Sequence, residues 1–399
     1  MSVSLLLPRK QPATPPAPDG IALFALGFRP FYLLAGLFSA ISVLLWTVQV
    51  SGWLPAGYLR GPFWHGHELL FGYTMAVIAG FLLTAVRAWT GRPTPTGAPL
   101  MALAALWVLG RVLVLTPYET AAAAANVAFP VALAVAIGIP LVRARNARNY
   151  FFIGLLVLIG GLSLVLHLAL QRTLELPQRL GLTLGLDVVM FIMTVMGGRV
   201  IPMFTNNGVP GAGAARHAVI EKFALGSVLL LLAADLLRVE PAAVAAIALL
   251  AGIAHGVRLW FWRPWRTFAT PLVWILHAAY AWIVVHLALR AAAGMEWIAS
   301  SFATHALTVG AIGGLTLGMM VRTSRGHTAR PLVADGSELT CFLLVQFAAV
   351  VRVFGGIVHP GLYLVSIYLS GLLWSAAFAL FVVRYWPVLS RPRLDGKPG

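Results

Sequence analysis

The sequence predicts an all-α integral membrane protein with about twelve transmembrane helices. Three observations support this fold class. First, 60% of the 399 residues are hydrophobic and only 10% are charged, whereas soluble domains contain about 25% charged residues. Second, the chain contains twelve long apolar runs separated by shorter polar segments. Third, loops rich and poor in Lys and Arg alternate along the chain, as expected when successive loops lie on opposite sides of a membrane.

Each apolar run approaches the roughly 20 residues that a helix needs to cross the hydrocarbon core. In chain order, the predicted spans are residues 31–50, 60–86, 98–115, 119–142, 150–170, 180–203, 218–237, 240–261, 268–290, 297–321, 337–356 and 362–386. Residues 1–20 are rich in proline and lack a long apolar stretch, which indicates a flexible cytoplasmic tail and no cleaved signal peptide. The membrane domain then comprises residues 21–390, and residues 391–399 form a second cytoplasmic tail.

The basic residues orient the spans. If both termini are cytoplasmic, three quarters of the 28 Lys and Arg residues fall on the inner side, and every inner loop is richer in them than its outer neighbours. The pattern therefore predicts cytoplasmic termini. It also accounts for the net charge of +16 without a nucleic-acid partner, so the expected partner is the lipid bilayer.

Similar segments recur along the chain. His67 and the glycines, arginine, threonine and proline that follow it match residues 238 positions later, beginning at His305. Arg-Val pairs stand near the outer ends of the third, seventh and eleventh spans, and Val-Arg pairs at the inner ends of the fourth, eighth and twelfth. These spacings predict three pseudo-repeats of four helices. Such a plan is similar, in architecture alone, to the twelve-helix core of haem–copper oxidases.

The histidines concentrate on one side of the predicted membrane. Six of the ten lie in or beside its outer half: His65, His67, His167, His286, His305 and His359. Ionisable groups within spans are costly and mostly functional, and neutral imidazole is the commonest metal ligand. The cluster therefore predicts a metal or haem site. Two alternatives stay open, because single histidines often make interhelical hydrogen bonds, and a proton relay would use the same His and Glu residues.

Helical spacing suggests roles for the residues of the second span. His67 and His305 occupy equivalent repeat positions, so they could bind one haem iron from its two faces. His65 lies about 200° around the helix from His67, so the two cannot point at one centre. Glu68 follows His65 by about one turn and could orient it from behind, as carboxylates do for metal-binding histidines.

Other histidines leave more than one role open. His167 and His286 occupy a second pair of matching positions and could hold copper or another haem, or they could simply mark the outer boundary. His277 lies at helical spacing from Tyr280, which could support it as a ligand. Equally, His277 could be a hydrogen-bonded core residue.

The remaining charged residues and the single cysteine constrain the chemistry. Asp187 and Asp235 are expected to pair with arginines near the outer side. Three outer arginines could pair with haem propionates, or equally extend toward the outer lipid headgroups: Arg111, Arg238 and Arg352. Because Cys341 is the only cysteine, internal disulfides, thiolate clusters and a covalently attached c-type haem are excluded, and any redox centre must rest on histidine.

Five segments together resemble the NnrS family over nearly the whole chain. They are ALGFRPFYLLAGLF, WHGHELLFGYTMAVIAGFLLTAVRAWTGRP, GGRVIPMFTNN, WILHAAYAW and HALTVGAIGGLTLGMMVRTSRGHTARP. The resemblance implies a bacterial inner-membrane protein that contains haem and copper and is linked to nitric oxide metabolism. It also implies that the H-x-H-E element and three further histidines are site residues: His65, His67, Glu68, His277, His305 and His327.

Taken with the histidine cluster, the resemblance implies a protein that handles nitric oxide by binding, reduction or detoxification, with haem b and copper as cofactors. Candidate haem ligands are His67, His305, His65 and His277, and candidate metal ligands are His65, His67, His167, His277 and His305, supported by Glu68 and Tyr280. As an enzyme it would be similar to a nitric oxide reductase or another haem oxidoreductase with an external electron donor. The competing classes are a proton-coupled transporter and a metal-free structural or sensory protein.

Overall fold

The computed structural model describes residues 20–53, 58–59 and 61–397. Within these residues the chain is helical and contains no strand, which confirms the all-α prediction. Twelve helices follow one another: α1 Phe28–Val50, α2 Pro62–Thr90, α3 Ala98–Leu113, α4 Glu119–Arg143, α5 Phe151–Leu170, α6 Leu180–Gly208, α7 Ala218–Leu236, α8 Pro241–Phe261, α9 Pro271–Gly294, α10 Ser300–His327, α11 Gly336–Val358 and α12 Tyr363–Leu389. The predicted N-terminal tail, residues 1–20, lies outside the described residues except for Gly20.

Local sequence determines where these helices begin and end. Pro62, Pro241 and Pro271 each occupy the first turn, where their missing N–H costs no hydrogen bond. Gly91 ends α2 in the left-handed conformation, with φ of 64°. At the start of α11, Asp335 and Glu338 form a reciprocal capping box. Turn chemistry thus fixes helix ends that the apolar runs alone place only to within a few residues.

Ten of the helices described are long and apolar enough to cross a membrane. Of the other two, α3 has only 16 residues, which is short for a hydrocarbon core about 30 Å thick. The nineteen-residue α7 carries Glu221, Lys222 and Asp235 along its length. The structure therefore shows a polytopic membrane protein, and the exact number of twelve spans stays a prediction.

The helices pack so that α2 and α10 lie innermost. Within the most apolar 18-residue stretch of each helix, 78% of the residues are buried in α2 and 67% in α10, whereas only 33% are buried in α8. The first helix, α1, packs along the last, α12, which joins the two ends of the described chain. Leu249, Leu250 and Ile253 of α8 remain exposed, as expected of side chains that face lipid. The site residues on α2 and α10 thus lie in the most enclosed part of the protein.

Two π-helical segments interrupt α2 and α10. They span Glu68–Thr74 and Ala306–Gly313 and begin directly after His67 and His305. Their starting positions are again 238 residues apart, so the correspondence between these two helices extends to their backbones. The proposed threefold repeat stays a prediction. Because π-helical turns inside α-helices frequently mark functional sites, both segments direct attention to the adjacent histidines.

Candidate functional site

A cavity of about 750 Å³ on the predicted outer side is lined by residues of α1, α2 and all of the helices from α6 to α12. Its volume falls within the range of about 300–1,000 Å³ that is usual for ligand and cofactor sites. The wall is mainly apolar, with three histidines and five charged residues among its lining: His65, His286, His305, Arg179, Asp187, Asp235, Arg290 and Arg352. Such a cavity can bury a large, mostly apolar ligand and fix it at a few polar points.

The first histidine pair lines this cavity. The rings of His65 and His305 have centroids 6.4 Å apart and planes that differ by 12°. His65 also stacks on Trp46 of α1, with ring centroids 4.9 Å apart. His305 uses Nδ1 to donate a 2.7 Å hydrogen bond to the carbonyl oxygen of Ser301. Because a carbonyl only accepts, this bond places the proton on Nδ1 and leaves the lone pair of His305 on Nε2.

A second pair is formed by His67 and His167. Their Nε2 atoms lie 3.2 Å apart, and both side chains are fully buried. The two Nδ1 atoms are held from behind: Glu68 contacts that of His67 at 2.7 Å, and the Tyr58 hydroxyl contacts that of His167 at 2.9 Å. The arrangement fits either a hydrogen bond between two neutral imidazoles or two nitrogens aimed at one metal ion.

With an ionised Glu68, the proton positions can be assigned so that every hydrogen bond of this second pair has one donor and one acceptor. If Glu68 is ionised, His67 donates to it from Nδ1–H, and His67 Nε2 then accepts from His167 Nε2–H. His167 Nδ1 in turn accepts from the Tyr58 hydroxyl. Tyr58, His167, His67 and Glu68 thus form a continuous hydrogen-bonded chain, which we call the Tyr58–Glu68 chain.

Arg111 of α3 neutralises the buried Glu68 carboxylate. It donates to Glu68 Oε1 at 2.6 Å and also to the side-chain oxygen of Asn126. A Cβ at position 72 would lie 2.6 Å from Arg111 Nη1, so only glycine leaves room for the guanidinium there. The indole of Trp107 bonds to the Gly72 carbonyl, which lies in the π-helical segment. The π-helix therefore helps to place both partners of the ion pair.

An acidic cluster occupies another wall of the cavity. Arg290 donates to Asp187 at 2.8 Å and also to Asp235, so one guanidinium serves two carboxylates. The prediction that these aspartates pair with an outer arginine is confirmed. The second carboxylate oxygen of Asp187 is buried and makes no hydrogen bond to the described residues.

The structure corrects the supporting roles assigned to Glu68 and Tyr280. Glu68 contacts His67 and not His65, whose Nδ1 is buried without a partner among the described residues. Tyr280 contacts His255 at 2.6 Å and Arg258 at 2.8 Å, whereas His277 contacts Thr205. Helical spacing misled here, because residues three apart share a helix face but reach different neighbouring helices.

The predicted ligands do not converge on one point. Among the residues that the structure describes, no group of three or more His, Cys, Asp and Glu side chains could hold one metal ion. The set instead divides into the pairs His65–His305 and His67–His167, with His277 apart from both. His327 lies against Phe28 at the inner end of α10 and does not line the cavity.

Two buried histidines have surroundings that sequence reasoning did not identify. His286 lines the cavity and donates from Nδ1 to the Ala303 carbonyl, which leaves a buried Nε2 without a partner in the described part of the chain. The predicted position of His286 in the outer half of the membrane pointed to a place near the site, although none of the five family-like segments contains this residue. His255 belongs to a second network: its Nδ1 contacts the Tyr280 hydroxyl, and Arg258 donates to both carboxylate oxygens of Glu221. Only packing reveals that network.

These features define a polytopic, all-helical membrane protein with paired buried histidines beside a large cavity. Residues 22–393 match the family model described as NnrS protein. The chain therefore belongs to the NnrS family, as the sequence motifs predict, and this membership indicates a membrane protein related to nitric oxide. No curated protein matches the chain.

Proposed function

We propose that this protein handles nitric oxide in the bacterial inner membrane, using haem b and copper held by the two histidine pairs. Handling here means binding, reduction or detoxification, with electrons from an external donor. Membership of the NnrS family supports the link to nitric oxide. The observation that carries the cofactor proposal is the near-parallel pair of His65 and His305 beside a 750 Å³ cavity.

The spacing of the first pair is compatible with a shared haem iron. Since each metal–nitrogen bond is about 2 Å, two imidazoles that held the same iron could have ring centroids up to roughly 6 Å apart. The observed separation is 6.4 Å. His305 also has the hydrogen bond to a backbone carbonyl that orients metal-bound histidines. We therefore propose His65, in place of His67, as the partner of His305.

The second pair fits copper with two nitrogen ligands. Nitrogens bound to one ion at about 2 Å lie on the order of 3 Å from each other, and the His67 and His167 Nε2 atoms are 3.2 Å apart. Glu68 and Tyr58 hold the opposite nitrogens, as supporting groups do in metal sites. A direct hydrogen bond would satisfy the same atoms, so copper content is the deciding measurement.

The protein's own groups would position the reactants and supply protons. When bound, haem contributes an iron whose ligands and surroundings decide whether it binds diatomic molecules or transfers electrons. The mainly apolar part of the cavity wall would limit its contact with water. Reduction of nitric oxide consumes protons as well as electrons. The Tyr58–Glu68 chain would give protons a route between helices α2 and α5 only in protein whose His67 and His167 share a hydrogen bond in place of a copper ion.

The hydrogen-bonded chain also favours a second candidate, a proton-coupled transporter. Such a protein would use Glu68 and the histidines as a relay and the cavity as its substrate site. The acidic cluster around Arg290 lies in the same cavity and would suit a cationic substrate or protons. This alternative needs neither haem nor copper.

An optical spectrum and metal analysis of the purified protein separate the two candidates. The protein should be expressed in cells supplied with haem and copper and purified in mild detergent. A Soret band, sharp reduced bands and stoichiometric iron support the proposal. Purified, folded protein without either metal would instead favour the transporter.

Acid acetone should extract all haem from the protein. Cys341 is the only cysteine, and it is buried, so the two thioether links of a c-type group cannot form. Extracted haem is measured as its pyridine complex, and the remaining polypeptide is stained for haem on a denaturing gel. A covalently attached haem on that gel would contradict the b-type assignment, and a c-type cytochrome serves as the control.

We further propose that both termini are cytoplasmic. Reporter fusions after Arg92, Arg148, Arg266 and Arg330 should report cytoplasm, and fusions after Pro55 and Glu175 should report the outside. The reason is that the loops holding the first four residues are the arginine-rich ones. An outside signal from any of those four fusions would reject the twelve-span arrangement. Each site is tested with a paired alkaline phosphatase and fluorescent reporter, so that both results are positive signals.

A further inference from the structure

Arg352 of α11 is a buried cation without an ion-pair partner among the described residues. Only 7% of its surface is exposed, although it lies near the predicted outer side of the membrane. One terminal nitrogen, Nη1, is buried and makes no hydrogen bond to the described residues. An arginine that extended to lipid headgroups would expose this end, so burial argues against that role. An anion nearby would stabilise a desolvated guanidinium of this kind.

The surroundings of Arg352 are suited to such an anion. Its Nη2 atom donates a long, 3.4 Å hydrogen bond to Ser301 Oγ, and its guanidinium lies 5.4 Å from the centre of the Tyr363 ring. Ser301 belongs to the first turn of α10, where backbone N–H groups are free of intrahelical partners. All three residues line the cavity together with His305, whose Nδ1 bonds to the Ser301 carbonyl.

The acidic side chains of the cavity are already engaged elsewhere. Asp187 and Asp235 both pair with Arg290, so neither contacts Arg352. None of the ion pairs among the described residues includes Arg352, so no described carboxylate lies within 4.0 Å of its guanidinium nitrogens. The wall formed by Arg352 and Ser301 therefore keeps an uncompensated positive charge next to the His65–His305 pair.

We propose that Arg352 and Ser301 form a binding subsite for a carboxylate or a small monovalent oxyanion. The guanidinium provides the charge and a planar pair of donors, which match the two oxygens of such an ion. The hydroxyl of Ser301 and the N-terminal turn of α10 complete the donor set. The anion can be a propionate of a bound haem or a free ion such as nitrite; only the first source rests on the proposed function.

Anion titration of haem-free protein tests the subsite independently of haem. Protein in nanodiscs of neutral phosphatidylcholine is titrated with acetate and with nitrite, and tryptophan fluorescence reports binding because Trp46 and Trp374 line the cavity. Arg352→Gln should weaken binding roughly 10- to 100-fold, the range for a lost hydrogen bond to a charged group. Arg352→Lys keeps the charge, so its affinity for the anion should lie between those of the wild type and of Arg352→Gln. Arg238→Gln changes an exposed arginine on the same predicted side and should match the wild type.

Reconstitution with haem and with its dimethyl ester identifies the source of the anion. If a propionate occupies the subsite, the ester binds roughly tenfold more weakly to the wild type, the two bind Arg352→Gln equally, and loaded wild type no longer responds to acetate. If a free ion occupies it, haem and ester bind alike and the acetate response persists. Failure to bind any haem would reject the proposed function and leave the acetate titration interpretable.

Three results would overturn the subsite itself. The first is equal anion affinity of the wild type and a folded Arg352→Gln variant, with folding checked by thermal unfolding. The second is no saturable response of the wild type to either ion, combined with equal affinity for haem and its ester. The third is a response that appears only in nanodiscs containing anionic lipid. If Arg352→Gln does not fold, the Arg352→Lys titration decides, because unaltered affinity there excludes a bidentate contact.

Discussion

His65→Ala and His305→Ala should each abolish the low-spin haem spectrum of the purified protein. The two ring centroids lie 6.4 Å apart and both rings line the cavity, so removing either would leave only one of the two histidines that would hold the haem. His67→Ala should retain the spectrum, because both nitrogens of His67 are engaged by Glu68 and His167. The measurement is the reduced-minus-oxidised difference spectrum, normalised to protein quantified by immunoblot of the membrane fraction.

The His67 variant also distinguishes the geometric assignment from the one based on repeat positions. If His67 and His305 were the axial pair, as their equivalent positions suggest, His67→Ala would lose the spectrum and His65→Ala would keep it. His217→Ala is the matched control, since His217 is exposed at the start of α7. Membrane insertion should survive in every variant, because the helices satisfy their own backbone hydrogen bonds.

Copper analysis of the same variants tests the second pair. His67→Ala and His167→Ala should each lose copper if their Nε2 atoms, 3.2 Å apart, bind one ion. The His65 and His305 variants should keep it, since the structure shows no contact between the two pairs among the described residues. Unchanged copper in both the His67 and His167 variants would leave that pair as a hydrogen bond within the Tyr58–Glu68 chain.

Most of the fold could be predicted from sequence because membrane helices are long and apolar. The predicted span 119–142 ends one residue before α4 does, and the predicted span 150–170 begins one residue before α5 does. The main error was at inner ends, where α6 continues through polar residues to Gly208 although its apolar run stops near 203. Hydropathy indicates where the apolar, lipid-facing part of a helix ends. The helix itself can continue past that point, because its backbone hydrogen bonds do not depend on apolar side chains.

The site was only partly predictable. The sequence indicates how deep in the membrane each histidine lies, whereas the neighbours that its side chain contacts depend on how the helices pack. The separation of His65 and His67 around the helix was correctly predicted, and their rings contact different partners. Their actual partners were not predicted, since Trp46 and His167 reach them from distant segments. The π-helical segments add a local change of register that no apolar period reveals, and they begin beside the histidines in question.

The ion pair of Glu68 and Arg111 leads to the largest expected effect on stability. Glu68 is 1% exposed and Arg111 8%, and their closest atoms are 2.6 Å apart. Removing one partner of a buried pair leaves an uncompensated charge and costs about 3–5 kcal/mol, whereas replacing both can be nearly neutral. The two changes therefore should not be additive.

Arg111→Met should lower the free energy of unfolding by about 3–5 kcal/mol, and adding Glu68→Gln should restore most of that loss. The introduced amide would carry no charge, yet its side-chain oxygen would still accept from His67 Nδ1, so the Tyr58–Glu68 chain keeps its order. Unfolding is followed by thermal or SDS titration in detergent. Arg238→Met is the control, because Arg238 is exposed at the end of α7 and its loss should change stability little. Equal stability of Arg111→Met and this control would show that no uncompensated charge remains in the variant, and would contradict the expected contribution of this ion pair to stability.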